Sequence, residues 1–288
     1  MSTSNNLTIA AILAKIVPYL AQKGIRNPRL EADLLLAFVL GLPRVKLYSE
    51  WDRPLNPDEV QRYREIIIKR IQGWPLAYLT GKKSFLSWEF IVNPAVLIPR
   101  PETEELVDAV VTAVKGRKQL SGVDVGTGSG VIAIALAKLL PDSYWQAVDI
   151  SAAALEVAQT NANNLEVADR IRFVQGDLLQ PLLGTDQQFD LIVSNPPYIP
   201  SSQIAGLQPE IGKEPVLALD GGPDGLEFYR RLLPQVDQLL VEGGLVALEH
   251  GYDQREPLTA LWNEAGYNCT SLSDLSGLDR ILIARKCH

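Results

Sequence analysis

The sequence predicts an α/β protein: a largely parallel, doubly wound, seven-stranded sheet with an antiparallel C-terminal hairpin, behind a small N-terminal helical bundle. Three observations carry this. From about residue 99, short β-branched runs alternate with helical stretches. The last two runs, 267–272 and 280–284, are separated by a turn at 274–277, too short for a crossover, so they pair as a hairpin. Residues 1–73 show helical spacing and no alternating run.

In the front module, Ile9, Ile12, Leu13, Ile16, Val17 and Leu20 recur at helical spacing behind Thr8 as N-cap. Pro28 opens a second helix with Leu30, Leu34, Leu35 and Phe38 apolar and Gly41 as its stop. Asn56, Pro57, Asp58 and Glu59 read as an N-cap, a first-turn proline and an acid at N3. That third helix runs through Tyr63, Ile67 and Ile71 to Gly73. Its Arg62, Arg64, Lys69 and Arg70 read as a solvated face that can double as a binding face. Over 74–98, Phe85, Trp88, Phe90, Val92 and Val96, with a turn at Asn93-Pro94, predict a short hairpin linker. Trp51, Trp74 and Trp88 read as packing residues.

The body spans 99–288. Pro101 to Glu105 starts a helix with acids at its positive dipole end. Strands follow over 121–125, 144–149, 171–175, 191–194 and 245–249, with helices over 131–139, 152–163 and 225–240 between them. A helix over 257–264 precedes the closing hairpin. The domains are therefore 1–73, a linker at 74–98, and 99–288, in keeping with ~150 residues per domain in a 288-residue chain.

Composition sets limits on function. Hydrophobic residues at 47% and charged residues at 21% exclude whole-chain disorder. The net charge of −7 argues against coating nucleic acid. The charge is uneven: residues 1–85 carry 13 Lys+Arg against 7 Asp+Glu, and residues 86–288 carry 14 against 27. The basic front end is expected to recruit an acidic protein surface. Two cysteines, Cys269 and Cys287, exclude a disulfide framework or a Cys-based zinc site and read as reduced thiols. No apolar run approaches the ~20 residues of a membrane span, and the first ten residues lack a signal-peptide pattern. A cytoplasmic protein with no membrane partner is expected.

The most informative turn is Asp124-Val125-Gly126-Thr127-Gly128-Ser129-Gly130, between a strand and a helix. Glycines let the backbone turn tightly and approach a ligand without a Cβ in the way. The spacing is G-x-G-x-G, with Val131 where a dinucleotide fingerprint has its third glycine, and there is no P-loop Gly-Lys-Ser/Thr. Asp124 would repel a pyrophosphate but suit an ammonium group. Asp149, at the end of the second body strand, suits both hydroxyls of a ribose, or a helix cap. Asp177 ends the third, where a carboxylate can accept from an adenine amino group and Leu178 can pack on the ring.

Ser194-Asn195-Pro196-Pro197-Tyr198 follows the fourth strand, at the carboxyl ends where α/β sheets hold ligands. A planar nitrogen nucleophile attacks poorly because its lone pair is delocalised. The Asn195 side-chain carbonyl and the Pro196 backbone carbonyl offer two acceptors for its N–H groups. Pro196 and Pro197 stiffen the turn, and Tyr198 offers a flat face to an amide or base and a contact for a sulfonium. These residues do not by themselves choose between an amide and a base.

Together the motifs resemble class I S-adenosylmethionine-dependent methyltransferases. More narrowly, they resemble the HemK/PrmC family of protein-(glutamine-N5) methyltransferases. The resemblance also rests on Gly73-Trp74-Pro75-Leu76-Ala77-Tyr78 with Gly81, on the stretch from Leu97 through Arg100-Pro101-Glu102-Thr103-Glu104, on Glu214-Pro215, on Gly222-Pro223-Asp224-Gly225, and on 274–280. It implies a helical substrate-recognition domain and methyl transfer to the glutamine of the Gly-Gly-Gln loop in class I peptide chain release factors, tuning translation termination. It implies that Gly126, Thr127, Gly128, Ser129, Gly130, Asp149 and Leu178 bind S-adenosylmethionine, leaving S-adenosylhomocysteine as product. Asn195 would touch cofactor and substrate, and Pro196, Pro197 and Tyr198 would hold the glutamine, with Asn195, Pro196 and Tyr198 catalytic. Leu178 departs from the aromatic residue common in relatives. In-line transfer is expected, without metal, covalent intermediate or direct nucleic-acid contact, by a monomer. Arg100 or Glu102 could also line the pocket, and His250 reads as structural. Alternatives are glutamine methylation of a ribosomal protein, amino methylation of a nucleic-acid base, and a non-enzymatic ribosome-binding module.

Overall fold

The computed structural model describes residues 7–286; Cys287 lies outside them. The chain forms two compact units. The first runs to Gly81 and takes in Pro209–Lys213; the second holds Lys82–Gln208 and the chain from Glu214 onward.

The first unit is helical: α1 (Ile9–Gln22), α2 (Pro28–Leu40), α3 (Arg44–Ser49), α4 (Pro57–Ile71) and α5 (Leu76–Thr80). The local capping chemistry determines where these helices start. Thr8 Oγ1 accepts from the Ala11 N–H at 3.2 Å. Asn56 and Glu59 form a reciprocal capping box at 2.8 and 2.9 Å. Leu13, Leu20, Leu35, Leu36, Tyr63 and Ile67 build its core. The short α3 and α5 have no strong periodicity in the sequence. Arg62, Arg64 and Lys69 are exposed, but Arg70 is buried, paired with Glu31 and, at 3.1 Å, with Glu210. Arg70 therefore anchors this unit and does not belong to a basic face.

The second unit opens with a two-stranded hairpin, β1 (Lys82–Phe85) and β2 (Trp88–Ile91), then α6 (Pro101–Ala113). Next come β3 (Ser121–Val125), α7 (Val131–Leu139), β4 (Tyr144–Asp149), α8 (Ala152–Asn164), β5 (Ile171–Gln175) and β6 (Phe189–Ser194). The chain ends with α9 (Glu227–Leu239), β7 (Leu240–Glu249), α10 (Arg255–Glu264), β8 (Tyr267–Ser273) and β9 (Asp279–Lys286). Strand order is β5-β4-β3-β6-β7-β9-β8. The first five strands are parallel, and β9 pairs antiparallel with both β7 and β8. The expected architecture is thus present, with β7 longer than its apolar run because α9 runs straight into it.

Burial alternates along the strands. Leu191 and Val193 of β6 face one core with α6 and α7, whereas Ile192 faces the other with α9 and α10. Chain order reverses between β3 and β6, so the sheet's topological switch point lies there. Two turns flank it: the glycine loop after β3 and the Asn-Pro-Pro-Tyr turn after β6. Ser194 Oγ ties the two strand ends by donating to the Val125 carbonyl at 2.6 Å.

Candidate active site

A cavity of about 600 Å³ lies over the carboxyl ends of β3, β4, β5 and β6. Gly126, Thr127, Gly128, Ser129, Asp149, Asp177, Leu178, Asn195 and Pro197 are on its walls. Gly130, Pro196 and Tyr198 are not, and neither are Arg100, Glu102, Asp124 and His250.

The glycine loop is held from below. Gly126 and Thr127 N–H groups both donate to the Val148 carbonyl, at 2.8 and 3.0 Å. Gly126 and Gly128 have φ of 72° and 55°. A Cβ at Gly126 would meet nothing within 4 Å, so the space beside that backbone is open to a ligand. Asp124 faces inward instead. Fully buried, it accepts from Thr127 Oγ1 at 2.6 Å and from the Ala133 N–H at 3.1 Å, fastening the loop to α7. Burial pushes its carboxyl up to about 7. The expectation that Asp124 meets a ligand's ammonium group is corrected: its place is beneath the loop.

Asp149 combines the cap and the wall. Its Oδ2 accepts from the Gly128 N–H and its Oδ1 from the Ser151 N–H, both at 2.9 Å. Burial raises its pKa against the pull of those bonds. Each oxygen retains acceptor capacity for a further donor such as a hydroxyl. Asp177 shares the wall with Arg231, with which it forms an ion pair. Leu178 is 5% exposed with φ of 53°, a left-handed conformation held at the cavity. Acceptors at the β4 and β5 ends, apolar walls at Ile150 and Leu178, and a backbone cradle suit a nucleoside-bearing cofactor.

The Asn-Pro-Pro-Tyr turn is fixed by distant chain. Gln254 Nε2 donates to the Tyr198 carbonyl at 2.9 Å. Gly221 N–H donates to the Ile199 carbonyl at 2.8 Å, and Ile199 N–H to Leu219 at 3.0 Å. A Cβ on Gly221 would sit 2.7 Å from Tyr198 Cα, and one on Gly225 would overlap the Tyr198 carbonyl and Gln254. Gly225 of the 222–225 motif, with Gly221 before it, thus clamps the turn. Arg100 pairs with buried Glu214 at 2.5 Å, and Glu214 also accepts from the Ile98 N–H at 3.0 Å. That ion pair braces the loop ahead of α6.

Beneath the turn lies a chain of side chains that sequence reasoning did not assign to the site. Asn195 Nδ2 donates to Thr103 Oγ1 at 2.9 Å, and Thr103 Oγ1 donates to Glu249 Oε2 at 2.7 Å. The Tyr198 hydroxyl lies 3.5 Å from Glu249 Oε1. The Tyr229 hydroxyl holds the Glu249 backbone carbonyl at 2.7 Å. Burial pushes the Glu249 carboxyl up to about 7 and raises the Tyr198 phenol well above its usual range. His250, fully buried, donates from Nδ1 to the Gly251 carbonyl at 2.8 Å, and burial lowers its pKa. Among the described residues no His/Cys/Asp/Glu group could hold a metal, and no helix is long and apolar enough to cross a membrane.

Comparison with known proteins agrees with this geometry. Residues 11–81 match the PrmC N-terminal domain and residues 103–209 the methyltransferase small domain. A release factor glutamine methyltransferase from Moorella thermoacetica is 45% identical over 96% of this chain and 98% of its own. One from Geobacter sulfurreducens is 41% identical over 96% of each. A ribosomal protein L11 methylase structure from Lactobacillus delbrueckii subsp. bulgaricus superposes with a TM-score of 0.50 at 25% identity, covering 66% of this chain and 81% of that one. At 45% and 41% identity with near-complete coverage of these relatives, the chain belongs to the release factor glutamine methyltransferase family.

Proposed function

We propose that this protein transfers a methyl group from S-adenosylmethionine to the side-chain amide nitrogen of the Gly-Gly-Gln glutamine in class I release factors, in the cytoplasm. The observation that carries the proposal is the meeting, on one cavity at the switch point, of a glycine cradle and an Asn-Pro-Pro-Tyr turn. The chain's 45% identity to a release factor glutamine methyltransferase supports the substrate.

S-adenosylmethionine, when bound, supplies a methyl group on a cationic sulfur. The protein's work is to hold it and the amide in line. The loop from Gly126 to Ser129 and the Asp149 carboxylate hold the cofactor, with Asp177 and Leu178 at its adenine end. The Asn195 side-chain carbonyl and the Pro196 backbone carbonyl accept the amide N–H groups. Those bonds favour a pyramidal nitrogen with an available lone pair. Pro197 stiffens this frame, and Tyr198 positions the amide plane. With the cofactor held there, methyl transfer to the nitrogen would leave its sulfur as a neutral thioether, and the amide proton would pass to solvent.

The test is direct. Purified protein, methyl-labelled S-adenosylmethionine and a release factor are incubated, and the tryptic peptide carrying Gly-Gly-Gln is sequenced by mass spectrometry. One methyl on that glutamine is expected. Label on a ribosomal protein glutamine or a nucleic-acid base, with none on Gly-Gly-Gln, overturns the proposal.

A further inference from the structure

Asn195 presents a chemical ambiguity that its neighbours resolve. A side-chain amide has a carbonyl and an NH₂ of nearly the same shape, and only the carbonyl can accept a substrate N–H. If the group turned over, two NH₂ groups would face each other across the site. Nothing within the Asn-Pro-Pro-Tyr turn prevents that.

The chain beneath it does. Glu249 ends β7, which pairs with β6 so that Leu248 lies opposite Ser194. Its carboxylate is therefore level with Asn195. Glu249 is 1% exposed and Thr103 is 2% exposed. Above pH about 7, where Glu249 is ionised, its carboxylate only accepts, so the Thr103 hydroxyl, 2.7 Å away, must donate to it. The Thr103 oxygen then offers a lone pair, which takes the Asn195 NH₂ at 2.9 Å. That leaves the Asn195 carbonyl as the group available to a substrate. Glu249 Oε1 also lies nearest the Tyr198 hydroxyl, at 3.5 Å, so one carboxylate serves both side chains.

We propose that Thr103 and Glu249 are positioning residues that fix the amide orientation of Asn195, and so select a nucleophile bearing N–H donors. This rests on the function proposed above. It assigns a role to the threonine of the Arg-Pro-Glu-Thr-Glu stretch beyond opening α6, since a helix start does not require a hydroxyl at its third position.

Thr103→Val keeps the shape and removes the hydroxyl; Thr103→Ser keeps the hydroxyl. For Thr103→Val, kcat on a release factor falls about tenfold or more, the loss of roughly one oriented hydrogen bond, while cofactor Kd and release-factor KM stay within about twofold. Thr103→Ser recovers most of kcat, and Glu249→Gln falls between them because its amide can still present an oxygen. A second readout needs no turnover: hydrogen exchange of the Asn195 side-chain NH₂, followed by NMR in free protein, speeds up about tenfold in Thr103→Val and not in Thr103→Ser. Normal kcat in Thr103→Val overturns the proposal. So does a Thr103→Ser variant as slow as Thr103→Val, a cofactor Kd that rises in step with the loss of kcat, or unchanged exchange at Asn195. Wild-type protein that methylates no Gly-Gly-Gln glutamine, yet shows the expected exchange pattern, refutes the proposed function and leaves the orientation of Asn195 supported.

Discussion

The two turns at the switch point are each built over a buried acid, by opposite means. Asp124 lies under the glycine loop and holds Thr127 and Ala133, three and nine residues along the chain. Glu249 lies under the Asn-Pro-Pro-Tyr turn and holds Thr103, 146 residues away. The cofactor side is one strand-turn-helix unit that determines its own shape. The substrate side is assembled from α6, β6, β7, α10 and the 221–225 loop, so its shape depends on the whole fold. Breaking a turn of the first kind should damage ligand binding locally, whereas breaking one of the second should damage geometry at a distance.

The largest expected effect falls on the substrate side. Asn195→Ala removes one acceptor for the substrate nitrogen, so kcat should drop by ~10³-fold. Cofactor Kd by calorimetry should move only a few-fold. A near-normal kcat would remove Asn195 from the chemistry.

Next comes a glycine pair that separates the two kinds of turn. Gly225 has φ of 78° and its missing Cβ makes room for the Tyr198 carbonyl. Gly225→Ala should destabilise the free protein by about 2–3 kcal/mol in urea titrations and lower kcat as well. Gly126→Ala, with φ of 72° and no protein atom in the way, should destabilise it by only about 1 kcal/mol. Its main effect should appear as a weaker cofactor Kd. Equal stability losses would erase the distinction.

That contrast explains what the sequence made legible. The caps at Thr8 and Asn56, the G-x-G-x-G loop, Asp149 and the closing hairpin are signals within a few residues, and the structure has each of them in place. Thr103 and Glu249 sit in stretches that already read as a helix start and a strand end, and nothing local says they meet. Arg231 reads as one more charge on α9, yet it lies beside Asp177. Arg70 reads as solvated for the same reason: its partner Glu210 is 140 positions away. Pro196 and Tyr198 belong to the turn by sequence, but the cavity wall is formed by Asn195 and Pro197.

A smaller effect tests the cofactor side. Asp149→Ala should weaken cofactor binding by ~10–100-fold, the loss of one or two hydrogen bonds to a charged acceptor, with kcat at saturation little changed. Unchanged Kd would contradict its ribose assignment. Because Asp149 also takes the Gly128 N–H, Asp149→Asn should retain more affinity than Asp149→Ala.

The smallest effect treats the two buried acids alike. Each carboxyl is pushed up to about 7 in the folded protein, above its ordinary range in the unfolded chain. Between those values the folded state holds the extra proton. Each group's contribution to stability is therefore full below the unfolded pKa and is lost as pH rises towards and through about 7. His250 works the other way, because burial lowers its pKa and its neutral form gains stability as pH rises. Absolute melting curves mix these opposing slopes, and differences from wild type isolate each acid. Between pH 5.5 and 6.5, Asp124→Asn and Glu249→Gln should each lose about 1 kcal/mol less stability than wild type. Only the Glu249→Gln variant should also shift the pH profile of kcat, because that acid sets the orientation of Asn195 while Asp124 shapes a loop already fixed by its neighbours. A matching kcat shift in both variants would mean that the two turns respond as one unit, and the local and assembled halves of the site would not be separable.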